Sequence, residues 1–439
     1  MNHVREALLG AFACVALYAF PLPVRWGLRA EHHLDPRASI ELELGPHQRL
    51  VPASPPPHDL TYRIGSRGYP LVISPLDRSA YALPELLAFV GANRGWLNGQ
   101  LHRYGVVLFR GFGSAVRSPQ DFEELSLRLE PRLESEYLGT SPRKLWPGCK
   151  FVHTASEFPA WRVIPAHCEM SFRKEPPTRI LFFAMQPPAL AEQYRASDDA
   201  GGGARRGGET PLVDFRAVAA DLSATATGQR FQDRAVRYVR HYYDERAPFY
   251  SISHRWDVLK TKSWQAMFST EDVGVAEAKA EAQGFAATWT VSRAGGAGEY
   301  RLLKLVHSLP ALRVHAATND SVWHNHHNVL HAWATSGECA FSAQWLNSWA
   351  FVAQHWWFEG LLQLQRVLTR DDDALGQHTT HADGGAIAHE DVVRVRAAVW
   401  NNTLAYQHEQ GDVAMVDNMR IGHGRQPFRG ARRILTTWA

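Results

Sequence analysis

Four cysteines, Cys14, Cys149, Cys168 and Cys339, form no C-x-x-C pair. That argues against a zinc knuckle or a dithiol redox motif. So few thiols in 439 residues also argue against a disulfide framework, the device of small secreted domains. Charge of one sign is missing too. Lys and Arg number 47 against 44 Asp and Glu, a net charge of +3. No basic run stands out, so nucleic acid is not expected as a partner. No internal repeat is visible. No apolar run reaches the roughly 20 residues of a membrane span.

The longest uncharged run comes closest. "ALLGAFACVALYAF" (7–20) follows Arg5 and is cut off by Pro21 and Pro23. Fourteen residues suit the apolar region of a signal peptide better than an anchor. The plainer reading is a frayed N-terminal helix. The following "FPLPVRWGLRA" is similar to the second part of two-part plastid leaders. Residues 1–24 are therefore read as a leader for the secretory pathway or an organelle, a plastid included, with no stable membrane span in the mature chain.

What is present fits a folded enzyme-sized domain. Hydrophobic residues make up 45% and charged residues 21%, enough for a large core. The stretch 25–60 contains "LVPASPPPHDL" and reads as a proline-rich linker or arm. A globular domain is expected over 61–439. Within it, "LPELLAFVGANRGWLNGQLHRYGVVLF" predicts a helix and then a strand. "RILFFAM" (179–185) and "DVAMVDN" (412–418) predict buried strands. "DVGVAEAKAEAQGF" predicts a helix closed by Gly284. The Gly-, Ala- and charge-rich stretch 190–207 predicts a surface insertion. Strands dominate the middle and end, which favours a mainly β sandwich or jelly roll decorated by helices.

The 22 histidines invite a search for metal ligands. In "IPAHCEMSF" (164–172), His167 and Glu169 are two apart, so a strand would project both from one face and Cys168 from the other. Two His and one carboxylate make the facial triad of non-haem Fe(II) oxygenases. An H-x-E triplet alone is equally the mark of a buried His–Glu pair. A third candidate, His423, follows "DVAMVDN". Ten residues on, Arg433 offers a planar fork suited to a carboxylate. Arg432 and Arg433 also read as solvated charges before a terminal strand.

Together, "IPAHCEMSF", "PPTRILFFAMQPPA", "GGETPLVDFRAV" and "GDVAMVDNMRIGHGRQPFRGARRIL" resemble the taurine dioxygenase and clavaminate synthase-like Fe(II)/2-oxoglutarate oxygenases. "SPR" (141–143), "SWQAMFST" (263–270), "VWHNHHN" (322–328) and "DGGAI" (383–387) are further landmarks, so the resemblance runs over about residues 90–439. It implies a double-stranded β-helix. It implies His167, Glu169 and His423 as Fe(II) ligands, and Thr210 and Arg433 as the cradle for the far carboxylate of 2-oxoglutarate. Arg432 is the weaker alternative for that cradle, because it would point to the opposite side of the strand. Gly207 and Gly208 would allow the tight turn before Thr210. The reaction implied consumes O2 and 2-oxoglutarate, releases succinate and CO2, and hydroxylates or desaturates a C–H bond of a small molecule. The carboxylate of Glu169 argues against halogenation, which needs that position open.

The chain departs from the family at Cys168, where Asn is usual, at Phe172, where Tyr is common, and in "VWHNHHN". His324, His326, His327 and His331 form either a second metal site or a rim of capping groups. Arg143, Trp146, Asn325 and Arg425 are the candidates for touching substrate. A zinc hydrolase would use the two His and the Glu but not Thr210 and Arg433. A non-catalytic jelly-roll binding protein would need none of the four charged or imidazole groups together.

Overall fold

The computed structural model describes residues 42–139, 141–188, 207–247, 262–293, 299–346, 348–369 and 376–439. The leader over 1–24 and, except for Gly207, the insertion over 190–207 lie outside the described residues.

In chain order, the first strands are β1 (Leu44–His47), β2 (Leu60–Gly65), β3 (Leu71–Pro75), β4 (Val106–Phe109), β5 (His153–Thr154) and β6 (Ile164–His167). They are followed by β7 (Arg179–Gln186), β8 (Thr210–Asp214), β9 (Val236–Tyr242), β10 (Ala286–Arg293), β11 (Glu299–Leu309) and β12 (Arg313–Val314). The last are β13 (Ser321–Val322), β14 (Gln377–His381), β15 (Thr403–Tyr406), β16 (Val413–Asp417), β17 (Ile421–Arg425) and β18 (Arg433–Trp438).

One sheet has the order β1-β2-β3-β4-β16-β7-β18-β5, and a second has the order β15-β8-β17-β6. Within them only β3 and β4 pair in parallel. Ile180, Phe182, Ala184, Ala414 and Val416 of the large sheet share a core with Ala166, Leu212, Leu404 and Ile421 of the small one. These two facing sheets are the jelly roll that the resemblance implied. A third sheet, β10-β11-β9-β14, adds Tyr238, Leu303 and Leu305 to the same core.

The large sheet is covered on its other face as well. Leu181, Phe183, Val413, Met415 and Leu435 pack there with Leu86, Leu97, Phe122 and Leu125. These four come from helices Leu83–Ala92, Arg94–Tyr104 and Pro119–Leu129. Burial on both faces is why "RILFFAM" and "DVAMVDN" read as unbroken apolar runs. Both are strands, β7 and β16, as expected.

Two sequence expectations differ in detail. The single helix before β4 is two helices, broken at Asn93. There the Asn93 amide donates to Phe89 O at 2.9 Å and its oxygen accepts from Ser54 N at 2.7 Å. The stretch read as a linker carries β1, which pairs antiparallel with β2 and extends the large sheet by one edge strand. The helix over Val273–Ala282 forms as expected, capped by Asp272 at its start. Gly284, at φ +86°, follows its end.

Candidate active site

β6 and β17 are antiparallel neighbours, and their register sets His167 opposite His423. Cross-strand partners stand with Cβ atoms about 5 Å apart, and here the ring centroids are 4.9 Å apart. A bulge beside His423 lets Gly424 approach the β6 backbone. A Cβ there would lie 2.5 Å from Ile164 O.

Glu169 arrives by another route. β6 ends at His167, so Glu169 occupies the turn beyond the strand rather than the strand position expected. Met170, at φ +53°, belongs to this turn. Asn418, just past β16, clamps it: Asn418 Oδ1 accepts from Glu169 N at 2.6 Å, and Nδ2 donates to Glu169 O at 3.0 Å. The side chain still converges. Glu169 Oε2 is 3.9 Å from His167 Nε2 and 3.6 Å from His423 Nε2. One donor atom from each residue lies within 4.8 Å of the others, and all three residues are buried. Cys168 points away into the core, as expected.

His167 and Glu169 are in states that suit a metal. His167 Nδ1 lies 2.8 Å from Pro165 O. A carbonyl only accepts, so Nδ1 carries the proton and Nε2 keeps its lone pair. Burial, reinforced by His423, lowers the His167 pKa to about 4. Neither His423 nitrogen has a hydrogen-bond partner among the described residues. Burial alone would raise Glu169, but Arg143 and then the two imidazoles hold it well below the usual carboxylate range. Arg143 Nη2 donates to Glu169 Oε2, and the Tyr137 hydroxyl donates to Oε1 at 2.9 Å. Two imidazoles and one ionised carboxylate, buried and mutually close, with the His167 Nε2 lone pair free, fit a divalent metal of the facial-triad kind.

A small cavity opens beside His167 and His423, walled by Thr210, His408, Arg432, Arg425, Arg143 and Phe182 among others. Thr210 opens β8 after Gly207 and Gly208, both at positive φ. Its Oγ1 is 2.9 Å from His408 Nε2. Burial, then Arg432, keeps His408 well below its ordinary pKa. It is Arg432, not Arg433, that lines this cavity; Arg433 is exposed. The reason is strand parity. Ile434 and Trp438 face the inter-sheet core and Leu435 faces the helices, so Arg432 shares the inner face. Burial lowers the Arg432 pKa to about 10.

The substrate candidates divide. Arg143 is at the centre, on Glu169. Arg425 lines the cavity, but its fork holds the backbone carbonyls of Phe158, Pro159 and Arg162, so it ties down a loop. Trp146 packs against the helix-side core, on the far face of the large sheet. Asn325 is buried with its amide spent on Ala311 O and on His327 N. Neither reaches the site.

The histidine cluster caps and packs. His326 stands edge-on to His167 at 5.1 Å and meets Ser171 Oγ at 2.9 Å. His327 Nδ1 meets Thr379 Oγ1 at 2.8 Å, and His331 packs on His378. Among the described residues the other grouping of metal-type donors is His102, His315 and Asp417. There Thr318 N donates to His315 Nδ1, so His315 Nε2 carries the proton and donates to Asp417 at 3.0 Å. It has no lone pair left for a metal. Asn418, Tyr137 and His408 are site residues that sequence reasoning missed. Only for Asn418 was there a signal: an amide closing a buried strand must find partners.

Comparison with known proteins gives the family. Residues 73–438 match the model of the family described as "Taurine catabolism dioxygenase TauD, TfdA family". The chain is 26% identical over 395 residues to the clavaminate synthase-like protein At3g21360 of Arabidopsis thaliana, covering 88% of this chain and 98% of that one. It is 25% identical over 335 residues to the dapdiamide synthesis protein DdaC of Enterobacter agglomerans, covering 76% and 82%. Among solved structures it is similar to PvcB, an Fe, alpha-ketoglutarate dependent oxygenase from an isonitrile synthetic pathway (13% identity, TM-score 0.41, 90% and 94% covered). A taurine dioxygenase from Burkholderia xenovorans is similar at 14% identity and TM-score 0.37, with 91% and 90% covered. The chain therefore belongs to the TauD/TfdA family of oxidoreductases, the Fe(II)- and 2-oxoglutarate-dependent oxygenases that use O2.

Proposed function

We propose that this enzyme hydroxylates or desaturates a C–H bond of a small-molecule metabolite and converts 2-oxoglutarate to succinate and CO2. The observation that carries this reading is the convergence of His167, Glu169 and His423 beside a cavity that also holds Thr210 and Arg432. In this reading the three donors hold Fe(II), which supplies O2 activation coupled to 2-oxoglutarate decarboxylation. The chain's residues do the rest. His167 presents Nε2 because Pro165 O fixes its other nitrogen. Arg143 and Tyr137 hold Glu169 ionised and oriented. Arg432 and Thr210 bind the far carboxylate of 2-oxoglutarate, the fork beside a hydroxyl making the cradle, and His408 orients that hydroxyl. The buried walls exclude water, which strengthens each of these contacts. A place in the biosynthesis of a specialised metabolite is part of the proposal, in line with the synthesis role named for DdaC.

The test is an anaerobic titration of Fe(II) and 2-oxoglutarate into the wild type and His423→Ala, followed by visible absorbance. Chelation at a facial triad gives a weak charge-transfer band. The band is expected in the wild type and absent in His423→Ala. Metal-loaded wild type with no band sinks the proposal. Where the band appears, succinate release then screens metabolites.

A further inference from the structure

β9 reads "VRYVRHY". Its inward positions are Val236, Tyr238, Arg240 and Tyr242, all buried. Three suit a core. The fourth is an arginine at 0% exposure. A buried charge is costly unless it is paired and hydrogen-bonded, and among the described residues no carboxylate pairs with this one; the group acting on it most is the Tyr242 phenol. Arg240 Nε, Nη1 and Nη2 all lack a hydrogen-bond partner among the described residues. The guanidinium carbon stands over the rings of Phe172 at 4.3 Å, Phe285 at 4.9 Å and Tyr242 at 5.3 Å. The Tyr242 hydroxyl, the polar group that acts on this guanidinium, lies outside good hydrogen-bond geometry and meets no other partner among the described residues.

Other cations stand nearby. Lys262 Nζ lies 4.8 Å from the Tyr137 ring centre and 3.3 Å from Gly139 O. Arg143 covers the same ring at 4.5 Å, and its Nε and Nη1 have no hydrogen-bond partner among the described residues. Burial, with Arg143 and Arg240 repelling it, pushes the Lys262 pKa down to about 8. The carboxylate acting on this group is Glu169, which belongs to the metal triad. Bound Fe(II) would raise the positive charge further. In the proposed reading the two carboxylates of 2-oxoglutarate would be taken up at the metal and at Arg432.

Resting on the oxygenase reading, we propose that Arg240 and Lys262, with the free edge of Arg143, form the subsite for an oxyanion on the substrate, a carboxylate, sulfonate or phosphate group. A guanidinium fork matches such a group in two parallel hydrogen bonds. The aromatic walls remove water, so each charge contact is stronger than at a surface. The subsite also stands in the right place. Phe172 meets His326 at 5.1 Å, and His326 meets His167 at 5.1 Å. An anion held by Arg240 would thus sit two ring contacts from the metal ligand His167.

The test is thermal unfolding of protein saturated anaerobically with Fe(II) and 2-oxoglutarate, so that the Arg432 cradle is already filled. The probes are propionate, ethanesulfonate and methyl phosphate, applied to the wild type, Arg240→Met and Lys262→Gln. At least one probe is expected to raise the wild-type Tm. Each variant is expected to weaken its apparent affinity about tenfold or more, the loss of roughly 1.4 kcal/mol. Without probe, Arg240→Met is expected to melt above the wild type, because it removes an uncompensated buried charge. No stabilising probe, or a shift unchanged in both variants, overturns the proposal. So does an Arg240→Met protein that melts far below the wild type, since that marks a structural arginine. The charge-transfer band in the same samples reports separately on the oxygenase reading. Its absence in the wild type defeats that reading, while the probe shifts still judge the cation cluster.

Discussion

At the scale of single residues, the site depends on side chains that never touch the metal position. Asn418 is the main case. Its one amide holds both backbone groups of Glu169 and also donates to Pro177 O at 2.7 Å. Without it the Glu169 backbone loses both of these ties, and the carboxylate is left to the side-chain bonds from Arg143 and Tyr137. Asn418→Ala is expected to lower Fe(II) affinity about 10- to 100-fold, the usual cost of losing a partner that orients a ligand. A competition titration against a fluorescent chelator measures it, and unchanged affinity would refute the clamp. The two adjacent arginines make a sharper contrast. Arg432→Gln should weaken 2-oxoglutarate binding by about tenfold or more, as expected for a buried charge-assisted pair. Arg433→Gln, on an exposed side chain, should leave it within about twofold, in keeping with a surface substitution. The reverse order would return the cradle to Arg433.

At the scale of elements, helices outside the jelly roll help to aim its strands. Arg396, on the helix His389–Asn401, donates Nη1 to Glu338 of the helix Ala334–Leu346 and Nη2 to Asn328 O at 2.8 Å. Asn328 Nδ2 in turn donates to Ala166 O at 3.0 Å, one residue before His167. The pair is fully buried, and burial raises Glu338 and lowers Arg396. Glu338→Met leaves the arginine buried without its counter-ion. It should cost about 3 to 5 kcal/mol in urea unfolding, and a loss under about 1 kcal/mol would show that the pair holds nothing together. Gly208 tests the turn before β8. It has φ +73°, and a Cβ there would lie 2.6 Å from Pro188 Cγ and 3.1 Å from Phe428 Cβ. Gly208→Ala should destabilise by about 1 to 3 kcal/mol. It should also weaken 2-oxoglutarate binding, because Arg432 Cδ is 3.6 Å from the same point.

At the scale of the whole molecule, the buried histidines set the response to acid. Burial holds His167 at about 4, and His324 and His327 at about 3, against 6.5 for a free imidazole. These folded-state values are depressed, so below pH 6.5 the unfolded chain takes up protons that the fold refuses. Stability of the metal-free protein is therefore full above about pH 6.5 and falls towards pH 4. Each of these groups steepens the fall by up to about 1.4 kcal/mol per pH unit. Urea unfolding at pH 7.5, 6.5 and 5.5 should show little change over the first step and a clear loss over the second. Equal stability at all three would contradict the neutral, buried state of these rings.

What could be read from the chain itself was local or short-range. The apolar runs marked β7 and β16, the helical spacing marked the segment before β4, and Gly284 marked a helix end. The order of "AHCEMSF", "GGET" and the C-terminal "GHGR" was enough to suggest the family, the jelly roll and the three converging donors. Which way side chains point was another matter. β18 is buried on both faces, so its period of two has no polar side to set the phase. Only the packing of Ile434 and Trp438 against the inner core decides for Arg432 over Arg433. Trp146 and Asn325 looked available in the chain, and the fold spends them on the helix-side core and on backbone groups. Arg240, Tyr137, Lys262 and Asn418 lie far apart in sequence, on β9, on loops and past β16. Their meeting around Glu169 and the Tyr137 ring depends on sheet register and long-range packing, which no local spacing encodes.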